Sequence, residues 1–175
     1  MFSDPSHIIS QLDLQSGSRV ADFGAGSGEY SFVAAKAVGE HGKVFAVEVQ
    51  KELLGRLERE ARSRKILNIE GIWGDVETAG GTHLNDGSCD AVIAANVLFQ
   101  VPDKSGFARE AARVLKSRGK LLVVDWTGSF GGTGPAPNAV VPTQKAREIF
   151  ESAGLSYERN VDAGAQHYGM IFRKK

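Results

Sequence analysis

A short apolar stretch, Arg19-Val20-Ala21-Asp22-Phe23, runs without a spacer into Gly24-Ala25-Gly26-Ser27-Gly28, and residues 29–38 then resume helical spacing. This strand–loop–helix unit constrains the chain more than any other feature. Glycines at every second position let the backbone turn sharply and let a ligand approach the main chain without meeting a Cβ. Three spaced glycines and a carboxylate at one strand end are costly to fold unless something is bound there.

The alternation begun by this unit continues along the chain. Residues 5–13 read as a helix, with Asp4 as N-cap and Pro5 in its first turn. In the helix over 29–38, Tyr30, Phe32, Val33, Ala37 and Val38 are available for a core face. A β-branched run over 43–49, an apolar run over 66–73 and further runs over 89–95 and 120–126 read as strands. Helices are expected over 51–65, 104–115 and 143–153, a short helix or turn over 76–88, and a turn over 116–119. Two closing strands, near 155–161 and 166–173, have no helix between them and should pair antiparallel at one edge. Continuous apolar strands alternating with helices are buried on both faces, and right-handed crossovers leave few topologies. The expectation is an α/β fold, a three-layer sandwich around a mostly parallel, Rossmann-like sheet, with residues 1–175 as a single domain.

Composition narrows the function. Lys plus Arg and Asp plus Glu are both 21, so net charge gives no push toward nucleic acid or an anionic membrane. Arg56, Arg59, Arg62 and Arg64 share their helix with Glu52, Glu58 and Glu60, which makes a solvated face rather than a nucleic-acid patch. The single cysteine, Cys89, excludes an intramolecular disulfide and a Cys-rich metal site, and the four histidines lack metal-ligand spacing. No signal peptide or membrane-length apolar run is visible, and a cytoplasmic protein is expected.

In open α/β sheets ligands bind beyond the carboxyl ends of the strands. A dinucleotide fingerprint is G-x-G-x-x-G, but this loop is G-x-G-x-G followed by Glu29, and Asp22 would face a diphosphate. Carboxylates there suit a ligand that brings positive charge. No Gly-Lys-Ser/Thr follows, so this is not a P-loop. Glu48, ending the second strand, can accept both hydrogens of a ribose diol, as dinucleotide sites also do. Asp75, ending the third, can accept from an adenine amino group while the Val76 N–H donates to the ring; alone it would more often cap a helix.

Taken together, these residues resemble the class I S-adenosylmethionine-dependent methyltransferases. Residues 20–28 are similar to that family's acid-plus-GxGxG motif, Glu48 to its ribose acid, and Gly74-Asp75-Val76 to its adenine turn. Residues 89–96 resemble its fourth-strand motif and 113–121 the turn before its fifth strand. The likeness is nearest the small-molecule type related to the ubiquinone/menaquinone and arsenite methyltransferases. It implies a seven-stranded sheet of order 3-2-1-4-5-7-6 with strand 7 antiparallel, and S-adenosylmethionine as cofactor. It implies that Asp22 and the Gly24, Gly26 and Gly28 backbone hold the methionine part, with main chain near Asn96 on the amino group. The cofactor-binding set expected is then Asp22, Gly24, Gly26, Gly28, Glu48, Val49, Asp75, Val76 and Asn96.

The methyl acceptor is not identified by the sequence; a small molecule is favoured, and no catalytic residue is assigned. An Asn-Pro-Pro-Tyr/Phe run after the fourth strand would suggest a nucleobase or amide nitrogen, and the chain lacks it. One cysteine cannot bind arsenic through several thiolates. The Gly/Pro segment 127–142 is long enough for a lid or binding loop, and His167-Tyr168 reads as strand-end packing before it reads as a base. The alternative function is a non-catalytic module that keeps this fold and acts in an assembly. A nicotinamide dehydrogenase ranks third, given the loop spacing.

Overall fold

The computed structural model describes residues 3–175; Met1 and Phe2, and the sequence reading that begins at them, lie outside it. Strands β1 (Arg19–Phe23), β2 (Lys43–Glu48), β3 (Ile69–Trp73), β4 (Cys89–Ala95), β5 (Leu115–Trp126), β6 (Leu155–Val161) and β7 (His167–Lys174) form one sheet. Its order is β3-β2-β1-β4-β5-β7-β6. The pairs from β3 through β5 are parallel, and β7 runs antiparallel between β5 and β6.

Helices α1 (Pro5–Ser10), α2 (Glu29–Val38) and α3 (Lys51–Ser63) cover one face, with α4 (Lys104–Val114) and α5 (Thr143–Ser152) on the other. Alternation along the strands decides which side chain meets which layer. Val20, Val44, Ile93 and Leu122 meet α1 and α2, and Ala46 meets Phe32 and Leu57. On the far face, Phe23, Phe107, Phe150 and Phe172 form a chain of tilted and edge-on rings 5.2–6.3 Å apart. Sheet and helices therefore bury two apolar layers, as the strand pattern requires.

Most element ends shift by a residue or two from the sequence reading, and the larger shifts fall at α1, β3 and β5. Helix α1 stops at Ser10, capped at its start by Asp4, whose carboxylate accepts from the Ser6 N–H at 2.9 Å. β3 begins at Ile69 rather than 66 because Lys65 takes left-handed backbone (φ +57°) after α3. The Asn68 amide then donates to the Ala35 and Gly39 carbonyls, which fixes the approach to the sheet. The turn expected over 116–119 is absorbed as an irregularity inside β5, which already pairs Leu115 with Cys89 before Lys120 pairs with Ala91.

Candidate functional site

A cleft of about 650 Å³ opens at the carboxyl ends of β1 to β4. Its floor is the 24–27 loop, which folds back so that the Gly24 and Ala25 N–H groups donate to the Val47 carbonyl at 2.9 and 3.1 Å. Gly24 approaches the turn after β4 so closely that a Cβ there would stand 2.6 Å from Val97 Cγ2. A Cβ at Gly26 (φ +54°) would meet only the Gly24 carbonyl oxygen, at 3.9 Å. Glu48 is buried and ties the floor to β2: the Gly26 N–H donates to one carboxylate oxygen at 2.9 Å and the Gln50 N–H to the other at 3.0 Å. Each oxygen has a second lone pair left for a ligand.

The remaining walls come from β3 and β4. The Asp75 carboxylate accepts from the Glu77 N–H and the Thr78 hydroxyl, both at 2.9 Å, which fixes the turn that presents Val76 to the cleft. Val49 stands 61% exposed at the rim. Beside it the Trp73 indole N–H donates to the Val49 carbonyl, and the Lys51 ammonium lies 3.8 Å from the centre of the indole ring. Asn96 holds left-handed backbone (φ +55°), its N–H donating to the Val124 carbonyl and its own carbonyl accepting from the Gln100 amide at 2.9 Å.

Thus Gly24, Gly26, Glu48, Val49, Asp75, Val76 and Asn96 converge on one cleft. Asp22 and Gly28, expected with them on the methionine part, lie outside its lining. Asp22 is buried beneath the loop, its carboxylate accepting from the Ser31 hydroxyl at 2.7 Å; burial pushes its carboxyl up to about 6, against the pull of Ser31 and with Glu48 adding to the rise. Gly28 opens α2 at φ +90°, where a Cβ would stand 2.7 Å from Leu57 Cγ and 2.8 Å from Phe32 Cζ. Both residues build the loop from behind.

The charge of the cleft is its sharpest chemical property. Glu29, Glu48, Asp75 and Glu77 line it, and among the described lining residues there is no Lys, Arg or His. Such a cleft repels a diphosphate and favours a cationic ligand.

Several residues at or behind the site escaped the sequence reading. Tyr30, assigned there to a core face, lines the cleft beside Ser3 and Pro5. The available signal was position: the first turn of a helix leaving a glycine loop necessarily stands at the ligand edge. Asp125, buried at the end of β5, accepts from the Phe99 N–H at 3.0 Å and the Trp126 N–H at 2.8 Å, and so anchors the turn that follows β4. Burial pushes its carboxyl up to about 6, only partly offset by those two N–H donors. His167 packs at the strand end as expected, its ring 4.2 Å from that of Trp126, and burial lowers its pKa. The 127–142 segment folds against Trp126 through Gly134, and none of its residues lines the cleft.

Comparison with known proteins bears on what this cleft holds. Residues 14–156 match the family described as a methyltransferase domain. An arsenite methyltransferase from Aquipseudomonas alcaligenes is 34% identical over 116 residues, covering 64% of this chain and 34% of that protein. A demethylmenaquinone methyltransferase from a Geobacillus species is 26% identical over 117 residues, covering 67% of this chain and 49% of the relative. The crystal structure of a SAM dependent methyltransferase from Aquifex aeolicus superposes with a TM-score of 0.90 at 27% identity, covering 99% of this chain and 91% of that one.

The chain belongs to the class I S-adenosylmethionine-dependent methyltransferases, a family of enzymes, and S-adenosylmethionine is the cofactor this membership implies. It spans about a third to a half of the length of these two curated relatives. The cleft fits that cofactor in kind: a bare glycine floor at Gly26, an acidic lining for a sulfonium and an ammonium, and a buried carboxylate with lone pairs to spare at Glu48.

Proposed function

We propose that this chain, as a single methyltransferase-like domain, transfers a methyl group from S-adenosylmethionine to a small-molecule acceptor. The observation that carries the reading is the cleft at the ends of β1 to β4, floored by glycine backbone and lined by four carboxylates, with no Lys, Arg or His among the described lining residues. When bound, the cofactor supplies a methyl group already activated by its positive sulfur. The chain's work is then to bind and orient. Glu48 takes the ribose hydroxyls while it holds the Gly26 N–H, so recognition and loop geometry share one carboxylate. Asp75 and the Val76 N–H meet the adenine, with Val49 against its ring. The Gly24–Gly26 backbone and Asn96 receive the methionine part, supported from beneath by Asp22 and Gly28. Fixing nucleophile and methyl group in line supplies several kcal/mol without any acid or base.

A small-molecule acceptor other than arsenite fits this chain's own residues. Cys89 is buried at the start of β4, the end remote from the cleft, so no set of thiolates within the chain faces the site. The sequence's balanced charge supports neither a nucleic-acid acceptor nor a membrane surface. No described helix is long and apolar enough to cross a membrane, and a cytoplasmic setting suits a lone buried thiol.

Titration calorimetry with S-adenosylmethionine, S-adenosylhomocysteine and NAD tests the reading. Micromolar binding of the two sulfur compounds with NAD silent is the expected result; NAD binding alone would overturn it. Cofactor binding with no transfer in a broad acceptor screen would instead favour a non-catalytic module.

A further inference from the structure

His167 is 6% exposed, and neither nitrogen of its ring has a hydrogen-bond partner. Folded proteins leave few buried polar atoms unpaired, because each forfeits its hydration without return. Packing against Trp126, whose ring lies 4.2 Å away, accounts for the face of the imidazole but not for its idle nitrogens. Burial lowers the pKa of the ring, so at neutral pH one nitrogen donates and the other accepts.

Its position brings these nitrogens toward the site. Trp126 and His167 are register partners, the last pair of β5 and β7 at the edge where the cleft opens. Along the same strands Leu122, Val124 and Ile171 meet the apolar cluster that also takes Tyr30 and Ala95. Alternation puts Trp126 and His167 on that face as well, the face on which Tyr30 lines the cleft. β4 ends against β5, with the Asn96 N–H on the Val124 carbonyl, and β7 is the next strand out. His167 thus stands two strand spacings from the β4 end, about 10 Å along the hydrogen-bonding direction, which is the span of one substituted ring. The half-buried Trp126 indole flanks that span, with Phe130 6.3 Å beyond it and Gly134 packed closely against it.

Resting on the reading of the cleft as the seat of a methyl donor, we propose that His167 is the base for a phenolic acceptor whose ring lies against Trp126. The hydroxyl oxygen forms the new O–CH3 bond as the S–CH3 bond of S-adenosylmethionine breaks, its electron pair going to sulfur. The hydroxyl proton passes to the accepting nitrogen of His167. The products are an aryl methyl ether, S-adenosylhomocysteine and an imidazolium that returns its proton to water. The charge of the cleft selects such an acceptor. Glu29, Glu48, Asp75 and Glu77 oppose one that arrives as an anion, with no cation among the described lining residues to hold it. A phenol arrives neutral and gives up its proton only during transfer, which is the step a neighbouring imidazole assists. An aliphatic alcohol offers no ring to Trp126 and is too weak an acid for this base.

Two readouts test the assignment, with catechol and 4-nitrophenol as probes. In nitrogen NMR of wild type saturated with S-adenosylhomocysteine, catechol should shift the ring signals of His167, told from the exposed His7, His41 and His83 by its lower titration. With S-adenosylmethionine, His167→Gln should lower kcat for catechol about 100-fold. For 4-nitrophenol, already ionised in mildly alkaline buffer and in no need of a base, the loss should be at least tenfold smaller. Silent His167 signals, or equal losses on the two acceptors, would overturn the role of His167. The NMR arm needs wild type alone, so a variant that fails to fold leaves it decisive. S-adenosylhomocysteine that does not bind would strike the reading of the cleft itself, a result visible before any phenol is added.

Discussion

Gly26 and Gly28 both hold left-handed backbone, at φ +54° and +90°, yet a methyl group added to each would meet different surroundings. At Gly26 it would project into the cleft, with nothing nearer than the Gly24 carbonyl oxygen at 3.9 Å. At Gly28 it would press into Leu57 and Phe32, in the contact between α2 and α3. Gly28→Ala should therefore lower stability by about 2–4 kcal/mol, the sum of left-handed strain and overpacking. Gly26→Ala should carry only the strain, about 1–2 kcal/mol, but weaken S-adenosylmethionine binding at least tenfold. Urea unfolding and calorimetry on the two variants separate these outcomes; the reverse pattern would mean that the floor of the cleft has been misassigned. The sequence showed three equivalent glycines. Only the path of the loop over β2 and the approach of Leu57 distinguish them, and neither contact is local in sequence.

Among the elements, α4 and the stretch between β3 and β4 depend on each other through one carboxylate. Glu110 is buried in α4 and accepts from the Gly80 N–H at 3.0 Å, the Thr82 hydroxyl at 2.6 Å and the Arg113 guanidinium at 2.7 and 2.8 Å. Burial alone would raise its carboxyl, but Arg113, Thr82 and the Gly80 N–H outweigh burial and bring it down to about 2. Glu110→Ala leaves the Thr82 hydroxyl and part of Arg113 unpaired and should destabilise by about 3–5 kcal/mol. The folded value lies below the ordinary one. The stabilisation is thus complete above about pH 4.5 and lost as pH falls toward 2. Urea titrations of wild type and variant should accordingly converge in acid and stay apart at neutral pH. Residues 76–88 read from sequence as a short helix or turn because nothing in their own pattern organises them. The partner that does so sits on another helix, on a face that α4's apolar spacing marks only as core.

Over the whole molecule, two buried acids impose the opposite pH dependence. Asp22 and Asp125 are each pushed by burial from an ordinary value of 3.8 to about 6. Between those values the folded chain holds more protons than the unfolded one, so stability falls as pH rises from about 4 to 6. Each site contributes up to roughly 3 kcal/mol of this slope. Asp125→Asn should abolish its share and flatten the profile between pH 4 and 7 by urea unfolding; an unchanged slope would mean that Asp125 stays ionised throughout. Asp22 was marked in the sequence as a strand-end acid and Asp125 was only a letter in an apolar run; the raised titration of neither was legible, since burial is a property of the finished sheet. The architecture was far more legible. Continuous apolar runs alternating with helical spacing imply a covered parallel sheet, and the missing helix between the last two strands implies their antiparallel pairing. The order of the central strands came through resemblance, because alternation alone does not choose among crossovers. In the site, the loop glycines, Glu48 and Asp75 were marked by their place at strand ends. Tyr30 was hidden because a half-buried aromatic on an apolar helix looks the same whether it faces core or cleft.

The last strand in the sequence is not the last strand in the sheet. β7 lies between β5 and β6 and pairs along its length with both. While the chain is being synthesised, β5 and β6 therefore emerge before the segment that joins them, each presenting a row of unpaired backbone groups. A ribosome that stalls before His167 would release a polypeptide whose open strands can recruit one another between molecules. Such fragments belong to the chaperones and proteases of the cell, since β7 is the strand that joins β5 to β6 in one sheet.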